Sequence, residues 1–270
     1  MDFVCPICKG ELTADENRIK RCPRGHSFDR AKQGYYNLLV GASGGTHGDN
    51  AEMVAARRAF LGGGYYSPLC ERVSELADAL TPEGGAVLDV GCGEGYYTSS
   101  VAERLRRVGG CREVLAFDIS KEAVKRLATL DKGINAAVAS AYDIPIADAS
   151  VDTALLIFSP LAKDEIYRVL KHGASFIMVF PDEEHLFGLK SAIYKTPYKN
   201  KPEPTEIDGF TLVTDEKLAY EITVGGEMLK SLFMMTPYAY RTRSEDRERL
   251  FSNPSVTTEI AFRILHYRKN

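Results

Sequence analysis

Long hydrophobic runs are missing from this sequence of 270 residues. Apolar runs such as residues 154–158 have the length of a β-strand, whereas a helix that crosses a bilayer needs about 20 apolar residues. Residues 1–6 also lack the basic and apolar segments of a secretory signal. We therefore expect a protein without membrane association that resides in the cytoplasm.

An excess of charge of one sign is missing as well. The chain carries 34 Lys and Arg against 37 Asp and Glu, which gives a net charge of −3. A nucleic-acid site would therefore have to be a local basic patch on a weakly acidic protein. The composition, 44% hydrophobic and 26% charged, is that of a globular protein and excludes a disordered chain.

Cysteine is sparse, but half of it is concentrated near the N-terminus. Of the six cysteines, those in the first 22 residues follow the pattern Cys-x2-Cys, and the last of them begins a Cys-x3-His. The four candidate ligands are Cys5, Cys8, Cys22 and His26. In a reducing compartment such cysteines do not form disulfides, and thiolates with an imidazole select zinc. Because four protein ligands fill a tetrahedral sphere, we predict one structural zinc ion.

Composition divides the chain into three parts. Residues 1–40 form the zinc-binding head, whose polar stretch 12–20 predicts a short hairpin between the two ligand pairs. This head has too little core to fold alone, and zinc binding contributes about 10 kcal/mol or more. Residues 41–85 are predicted to be a linker, glycine-rich over 41–48, and connecting helices. Residues 86–270 form the body.

Two connecting helices are predicted before the body. The first spans residues 51–61, with Asp49 or Asn50 as its N-cap. The second begins with Ser67 as the cap and Pro68 at the first helical position, where a missing N–H costs nothing.

The body alternates short apolar runs with helical patterns. The apolar runs are residues 86–90, 114–117, 136–139, 153–158 and 175–180. The helical patterns are residues 97–108, 121–130, 164–171 and 183–194. Apolar strands joined by helices predict a doubly wound α/β fold with a parallel sheet covered on both faces. Two longer strands, 210–224 and 257–267, flank a short helix near 226–235 and suit an antiparallel pair at one edge.

A glycine-rich loop follows the first strand of the body. Gly91, Gly93 and Gly95 are spaced Gly-x-Gly-x-Gly, which differs from the Gly-x-Gly-x-x-Gly of dinucleotide-binding proteins. Asp89 and Glu94 place carboxylates around this loop, and these would repel a pyrophosphate. They suit a cofactor that carries an amino group and a sulfonium, so the loop predicts a site for S-adenosylmethionine (SAM).

The next two strands end in residues that fit the rest of this cofactor. Asp118 follows the second strand, where a carboxylate accepts hydrogen bonds from both ribose hydroxyls. Ala141 lies in the loop 140–145 after the third strand, which is expected to flank the adenine. Because the three features follow three successive strands in order, the pattern is more specific than any one of them.

Basic residues are concentrated in the head and on the first connecting helix. They are Arg18, Lys20, Arg21, Arg24, Arg30, Lys32, Arg57 and Arg58, of which we select Arg24, Lys32, Arg57 and Arg58 as candidate RNA contacts. Phe28, Tyr35 and Tyr36 are candidates for stacking on an unpaired base. The alternative is a set of solvated surface charges. The residues from Arg241 to Arg249, with interleaved acids, are interpreted as a solvated helix face.

With both halves in one chain, the sequence resembles the RlmA family of 23S ribosomal RNA guanine-N1 methyltransferases. The resemblance covers nearly the whole chain. It rests on Cys-Pro-x-Cys with Cys-Pro-x-x-His, on Ala31-Lys-Gln-Gly-Tyr-Tyr-Asn-Leu-Leu39, on Asp49-Asn-Ala-Glu-Met53, on Gly64-Tyr-Tyr-Ser-Pro-Leu69 and on Gly91-Cys-Gly-Glu-Gly-Tyr-Tyr-Thr98.

The resemblance implies a class I SAM-dependent methyltransferase, a Rossmann-like α/β fold with a seven-stranded sheet, behind an N-terminal zinc ribbon that helps to grip RNA. It implies methylation of N1 of a guanine in a hairpin loop of 23S ribosomal RNA. Family positions that contact the cofactor are matched by Tyr66, by the loop residues 93–96, which end at Tyr96, and by His185. Some members confer macrolide resistance; the modified guanine, resistance and a homodimer are left open for this chain.

The catalytic base is not identified from the sequence. His185, Asp164 and Glu165 are candidates, but residues of these types also merely occupy or begin helices. Residues 158–161 replace the Asp/Asn-Pro-Pro-aromatic motif of exocyclic-amine methyltransferases, which favours a ring nitrogen as the acceptor. Two alternative functions remain: a methyltransferase of a metabolite or antibiotic, and a non-enzymatic RNA-binding assembly factor.

Removal of zinc distinguishes an RNA-binding head from a purely structural one. From the sequence we expect a chelator to weaken RNA binding far more than SAM binding, because the cations lie in the head and the glycine loop lies in the body. Filter binding and calorimetry would measure the two affinities. Equal losses would mean that the head serves the fold rather than RNA binding.

Overall fold

The computed structural model describes residues 1–16, 18–41 and 48–270. Most of the glycine-rich segment predicted as a linker, residues 42–47, lies outside this part of the chain. Among the described residues, no helix has the length and apolar character needed to cross a membrane.

The head contains a small antiparallel sheet. Its strands are β1 (Thr13–Ala14), β2 (Lys20–Arg21) and β3 (Ser27–Phe28), in the order β1-β2-β3. The pairing of β1 with β2 confirms the hairpin predicted between the two ligand pairs. A further strand, β4 (Tyr36–Asn37), follows at the end of the head.

Two helices connect the head to the body. They are α1 (Ala51–Gly62) and α2 (Ser67–Leu80). Asn50 caps α1, because its side chain accepts a hydrogen bond of 2.9 Å from the N–H of Met53. The prediction that Ser67 caps α2 is wrong: Tyr66 occupies the cap position, and the Ser67 hydroxyl donates to the carbonyl of Gly64 instead.

The body follows the predicted alternation. Its elements are β5 (Ala86–Val90), α3 (Tyr96–Val108), β6 (Glu113–Asp118), α4 (Lys121–Leu130), β7 (Asn135–Val138), β8 (Val151–Ile157), α5 (Lys163–Val169), β9 (Leu170–Pro181), α6 (Phe187–Ile193), β10 (Phe210–Gly225), α7 (Gly226–Met234), α8 (Ser244–Phe251) and β11 (Ser255–Lys269). The helix predicted over 183–194 begins late, because residues 183–186 form a turn that ends at Leu186 with φ of 58°.

One sheet of eight strands organises the body, in the order β10-β11-β9-β8-β5-β6-β7-β4. Seven strands come from the body, as the family resemblance implies, and β4 of the head adds the eighth. Strands β4 to β9 pair in parallel, whereas β10 and β11 form the predicted antiparallel pair at one edge.

The strand order places a crevice at the centre of this sheet. Strand β5 lies between β6 and β8, so the connections that leave β5 and β8 turn in opposite directions. In open α/β sheets ligands bind at this switch point, outside the carboxyl ends of the strands. The glycine loop begins at the carboxyl end of β5 and therefore lies at this edge.

Candidate cofactor site and zinc centre

The four predicted metal ligands converge in the head. The sulfur and nitrogen atoms of Cys5, Cys8, Cys22 and His26 all lie within 4.8 Å of one another. The Nδ1 atom of His26 is 3.4 Å from Sγ of Cys5 and 3.3 Å from Sγ of Cys22. These separations and the set of soft donors fit one tetrahedral zinc ion, bound through the Nδ1 atom of the histidine.

The glycine loop makes close backbone contacts that other residues would block. Gly91 has φ of 81°, and a Cβ atom there would lie 2.2 Å from Oγ of Ser159. Gly95 has φ of 93°, and its Cβ would lie 2.4 Å from Cδ1 of Leu127. Both positions need a left-handed backbone and a missing side chain, so the loop is held between the β8 end and α4.

The Asp89 carboxylate has one oxygen without a partner among the described residues. Oδ2 accepts a hydrogen bond of 2.6 Å from the Thr98 hydroxyl, whereas the buried Oδ1 accepts none. Burial raises the pKa of Asp89 to about 7. A buried carboxylate with a free oxygen beside a glycine loop fits a ligand that brings a positive charge.

Asp118 and Glu94 add two further carboxylates around the same loop. Asp118 accepts a hydrogen bond of 2.9 Å from the N–H of Gly93 and one of 2.7 Å from the N–H of Ser120. These bonds join the glycine loop to the loop that follows β6. Burial raises the pKa of Asp118 and that of Glu94. Two buried acids, Asp89 and Glu94, and the half-buried Asp118 in one crevice disfavour a phosphate and favour a cationic ligand.

Arg57 lies beside this loop. It forms an ion pair with Asp49, whose backbone carbonyl accepts a hydrogen bond of 2.6 Å from the Ser120 hydroxyl. A Cβ atom on Gly93 would lie 3.8 Å from Nη1 of Arg57. Asp49 and Arg57 therefore border the glycine loop and the turn after β6, whereas the sequence predicted only an RNA contact for Arg57.

The other three residues selected for RNA binding, Arg24, Lys32 and Arg58, are exposed. Lys20, which contributed to the predicted basic bias, is buried and paired with Asp2, and its Nζ lies 4.4 Å from the ring centre of Tyr36. The rings of Tyr35 and Tyr36 are buried as well, so their predicted stacking on a base does not fit this structure.

Tyr66 and His185 are buried and contact each other, although 119 positions separate them. The N–H of Ala261 donates to Nδ1 of His185 over 3.2 Å, so the ring proton of the neutral histidine is assigned to Nε2, 3.3 Å from the Tyr66 hydroxyl. Burial and the charge of Lys190 lower the pKa of His185 to about 3. Such a weakly basic imidazole does not fit a general base.

The acidic candidates for the base do not fit either. Asp164 is exposed at the start of α5. Glu165 binds the Arg168 guanidinium at 2.7 Å and accepts from the N–H of Ile144, and these interactions lower its pKa against the effect of burial. Glu165 therefore anchors the loop after β7.

A cavity of about 340 Å³ lies at the carboxyl ends of β6 and β7. It is lined by Leu38, Leu39, Val40, Gly41, Ile119, Ser140, Tyr142 and Asp143. The loop after β7, including Ala141, was predicted to flank an adenine. Residues 38–41 were missed, because their place depends on the pairing of β4 with β7, for which two residues give no sequence signal.

Comparisons with known proteins agree with this arrangement. Residues 3–40 match a zinc-ribbon family whose description is "RlmA, N-terminal". Residues 87–174 match a family described as a methyltransferase domain. The chain is 31% identical, over 96% of its length and 95% of the relative, to a protein from Streptomyces fradiae named 23S rRNA (guanine(748)-N(1))-methyltransferase.

Two further comparisons give a second relative and the fold. A protein from Bacillus subtilis named putative 23S rRNA (guanine-N(1)-)-methyltransferase YxjB is 29% identical over 88% of this chain and 86% of its own. The crystal structure of the YcgJ protein from Bacillus subtilis matches with a TM-score of 0.50 at 11% identity, covering 74% of this chain and 98% of that one.

The sheet order, the carboxylate-lined glycine loop and the zinc ligands define a class I SAM-dependent methyltransferase with an N-terminal zinc ribbon. Its two cofactors are SAM and zinc. The extent of its similarity to the Streptomyces fradiae protein shows that the chain belongs to the RlmA family of 23S rRNA (guanine-N1)-methyltransferases.

The raised pKa of Asp89 makes the stability of the protein depend on pH. At pH values between the ordinary pKa of 3.8 and the folded pKa of about 7, Asp89 holds a proton in the folded protein and releases it in the unfolded chain. Wild-type stability therefore falls as pH rises through this window. We expect the stability of Asp89→Asn, relative to wild type, to increase by about 1 kcal/mol per pH unit from about pH 5 to about pH 7.

Urea unfolding at several pH values would measure this difference. Asp131→Asn is the control: burial alone would raise the pKa of Asp131, but Arg106 and the N–H of Gly133 lower it, so that its titration falls below this window. A difference between Asp89→Asn and wild type that does not change with pH would contradict the assignment.

Proposed function

We propose that the protein transfers a methyl group from SAM to N1 of a guanine in a hairpin loop of 23S ribosomal RNA. The observation that carries this proposal is the similarity, over nearly the full length of both chains, to a relative named for that reaction. The exposed cations Arg24 and Lys32 on the zinc ribbon support it, because RNA binding uses such phosphate contacts and a methyltransferase of a small neutral metabolite has no need of them.

Different residues of the crevice are assigned to different portions of SAM. We assign Asp89 and Glu94 to the amino acid portion of SAM. We assign Asp118 to the ribose, whose hydroxyls can donate hydrogen bonds to the lone pairs that the two backbone donors of Asp118 leave open. The backbone of Gly91, Gly93 and Gly95 allows the close approach. The remaining contacts are assigned to Tyr66, Tyr96, Ala141 and His185. The bound cofactor supplies a methyl group on a sulfonium, which needs no further activation.

Phe158 is suited to hold the base that accepts the methyl group. It directly follows β8, its backbone has φ of 55°, and its ring is 41% exposed. A left-handed backbone is costly for an aromatic residue and typically occurs at functional sites. The ring packs on Phe262 with centres 5.1 Å apart, and Ser159 beside it lies against Gly91. A guanine stacked on Phe158 would therefore lie next to the cofactor loop.

Tyr97 gives this acceptor site a polar group. Its ring centre is 6.2 Å from that of Phe158, and its buried hydroxyl has no hydrogen-bond partner among the described residues. A base edge can satisfy such a group, whereas an empty site leaves it unpaired at a cost of about 1–3 kcal/mol. Alignment of the ring nitrogen with the methyl group then supplies much of the rate.

Exposed cations and the ribbon complete the RNA site. Unlike Arg57, the residues Arg24 and Lys32 in the head and Arg58 on α1 form no ion pair with the residues that the structure describes, and we assign them to phosphate contacts. Such contacts make RNA methylation sensitive to salt, whereas transfer to a small neutral metabolite would barely respond.

Transfer of labelled methyl from SAM to unmodified, protein-free 23S RNA tests the proposed function. Primer extension should stop at one guanine, because N1-methylguanine cannot pair, and transfer should fall steeply as salt is raised. Binding of SAM and RNA without transfer would favour the assembly factor. Transfer to a metabolite but not to RNA would favour the other alternative.

Replacement of Phe158 separates the acceptor site from the cofactor site. We expect Phe158→Ala to lower RNA methylation by roughly tenfold, since one base-aromatic stack contributes about 1–3 kcal/mol. Calorimetry should show unchanged SAM binding, and Phe158→Tyr should retain activity. Phe251, on α8 and 38% exposed, provides the control substitution Phe251→Ala. Full activity of Phe158→Ala would refute the stacking role.

A further inference from the structure

We propose that the zinc ribbon is part of the SAM site. In this arrangement its C-terminal tail, residues 38–41, forms one wall of the adenine subsite, so that zinc binding and cofactor binding are coupled. This inference rests on the proposed function, because it takes SAM as the ligand of the crevice. It goes further by giving the ribbon a role in cofactor binding that neither its ligand set nor the glycine loop indicates.

The position of the tail follows from one parallel strand pair. Tyr36 and Asn37 of β4 pair with Ala137 and Val138 of β7, and the N–H of Leu38 donates to the carbonyl of Val138 over 2.8 Å. Parallel strands present their carboxyl ends at the same edge of a sheet. The chain that leaves β4 therefore emerges beside the chain that leaves β7, at the edge that carries the cofactor loops.

The cavity between these two chain segments has the character of a site for a flat base. Three of its lining side chains are large, apolar and exposed: Ile119 at 37%, Val40 at 52% and Tyr142 at 70%. Apolar side chains exposed around one concave site indicate a ligand. Ile119 directly follows Asp118, so a base in this cavity lies next to the proposed ribose contact.

The ribbon also holds the opposite wall. Lys9, between the ligand Cys8 and Gly10, forms an ion pair with Asp143, which lines the cavity. The N–H of Val4, next to the ligand Cys5, donates to the carbonyl of Pro145 over 2.8 Å. Phe3, Cys5, Ile144 and Ile146 are buried in one hydrophobic cluster. Residues beside two zinc ligands thus contact the loop after β7.

These contacts change the outcome expected on loss of zinc. Small zinc modules lose their fold with the metal, so zinc removal would release both the tail and the anchor at Asp143. SAM binding should then weaken together with RNA binding, in contrast to the expectation from sequence. Because coupling between two ligands is reciprocal, bound cofactor should also slow the loss of zinc.

Val40 and Ile7 allow a matched test of the tail. Both are apolar residues of the ribbon that are 52% exposed, but only Val40 lines the cavity. Calorimetry on the zinc-loaded full chain would measure binding of S-adenosylhomocysteine and of methylthioadenosine, which lacks the amino acid portion. We expect Val40→Asp to weaken both about tenfold and Ile7→Asp to weaken neither, with one zinc per chain throughout.

Each result has a distinct meaning. Normal binding of both ligands by Val40→Asp overturns this inference and leaves the proposed function intact, since the wild type still binds. A wild-type protein that binds no S-adenosylhomocysteine overturns the proposed function itself. Weakening by Val40→Asp of S-adenosylhomocysteine alone would place the tail at the amino acid portion and also overturn the adenine assignment.

Zinc release provides the reciprocal measurement. A coloured chelator would follow the rate at which the wild-type protein loses zinc, with and without saturating S-adenosylhomocysteine. We expect several-fold slower release with the cofactor product bound, and a smaller effect in Asp143→Ala, which removes the Lys9 anchor. Equal release rates in the wild type would overturn the coupling.

Discussion

Parallel pairing of β4 with β7 joins the two halves of the protein in one sheet, and the contacts of Val4 and Lys9 with the loop after β7 support it. Two residues, Tyr36 and Asn37, form the pairs, yet this pairing brings the ribbon into the sheet of the body. It directs the following residues to the edge at which the strands of the body also end. The C-terminal tail of the zinc ribbon thereby lines the cavity at the carboxyl ends of β6 and β7.

Buried carboxylates give that crevice its chemical character. Asp89, Glu94 and Asp118 are held where burial raises their pKa values, and a buried oxygen of Asp89 has no hydrogen-bond partner within the described part of the chain. This arrangement is unfavourable without a ligand and favourable with a cationic one. A large hydrophobic core offsets the free energy that burial of these carboxylates costs. Zinc binding supplies the stability that the small head lacks.

Most strands and helices of the body could be predicted, because each is specified by its own apolar pattern and length. The glycine loop and the metal ligands could be predicted for the same reason, since both their spacing and the chemistry of their side chains are local features of the sequence. The failures are residues whose surroundings are set by distant parts of the chain. Ser67 faces Gly64 rather than capping α2, and Lys20 is buried by Asp2 and Tyr36. Arg57 borders the cofactor loop because α1 approaches the turn after β6.

The sequence by itself determined the fold class, the two cofactors and the order in which the cofactor loops follow the strands, since these depend on periodicity and spacing over a few neighbouring residues. Only the tertiary structure decided that β4 joins the sheet, that residues 38–41 line a cavity, that His185 is neutral against Tyr66 and that Phe158 is exposed with a left-handed backbone. Those features arise from contacts between residues far apart in the chain, and such contacts leave no local pattern.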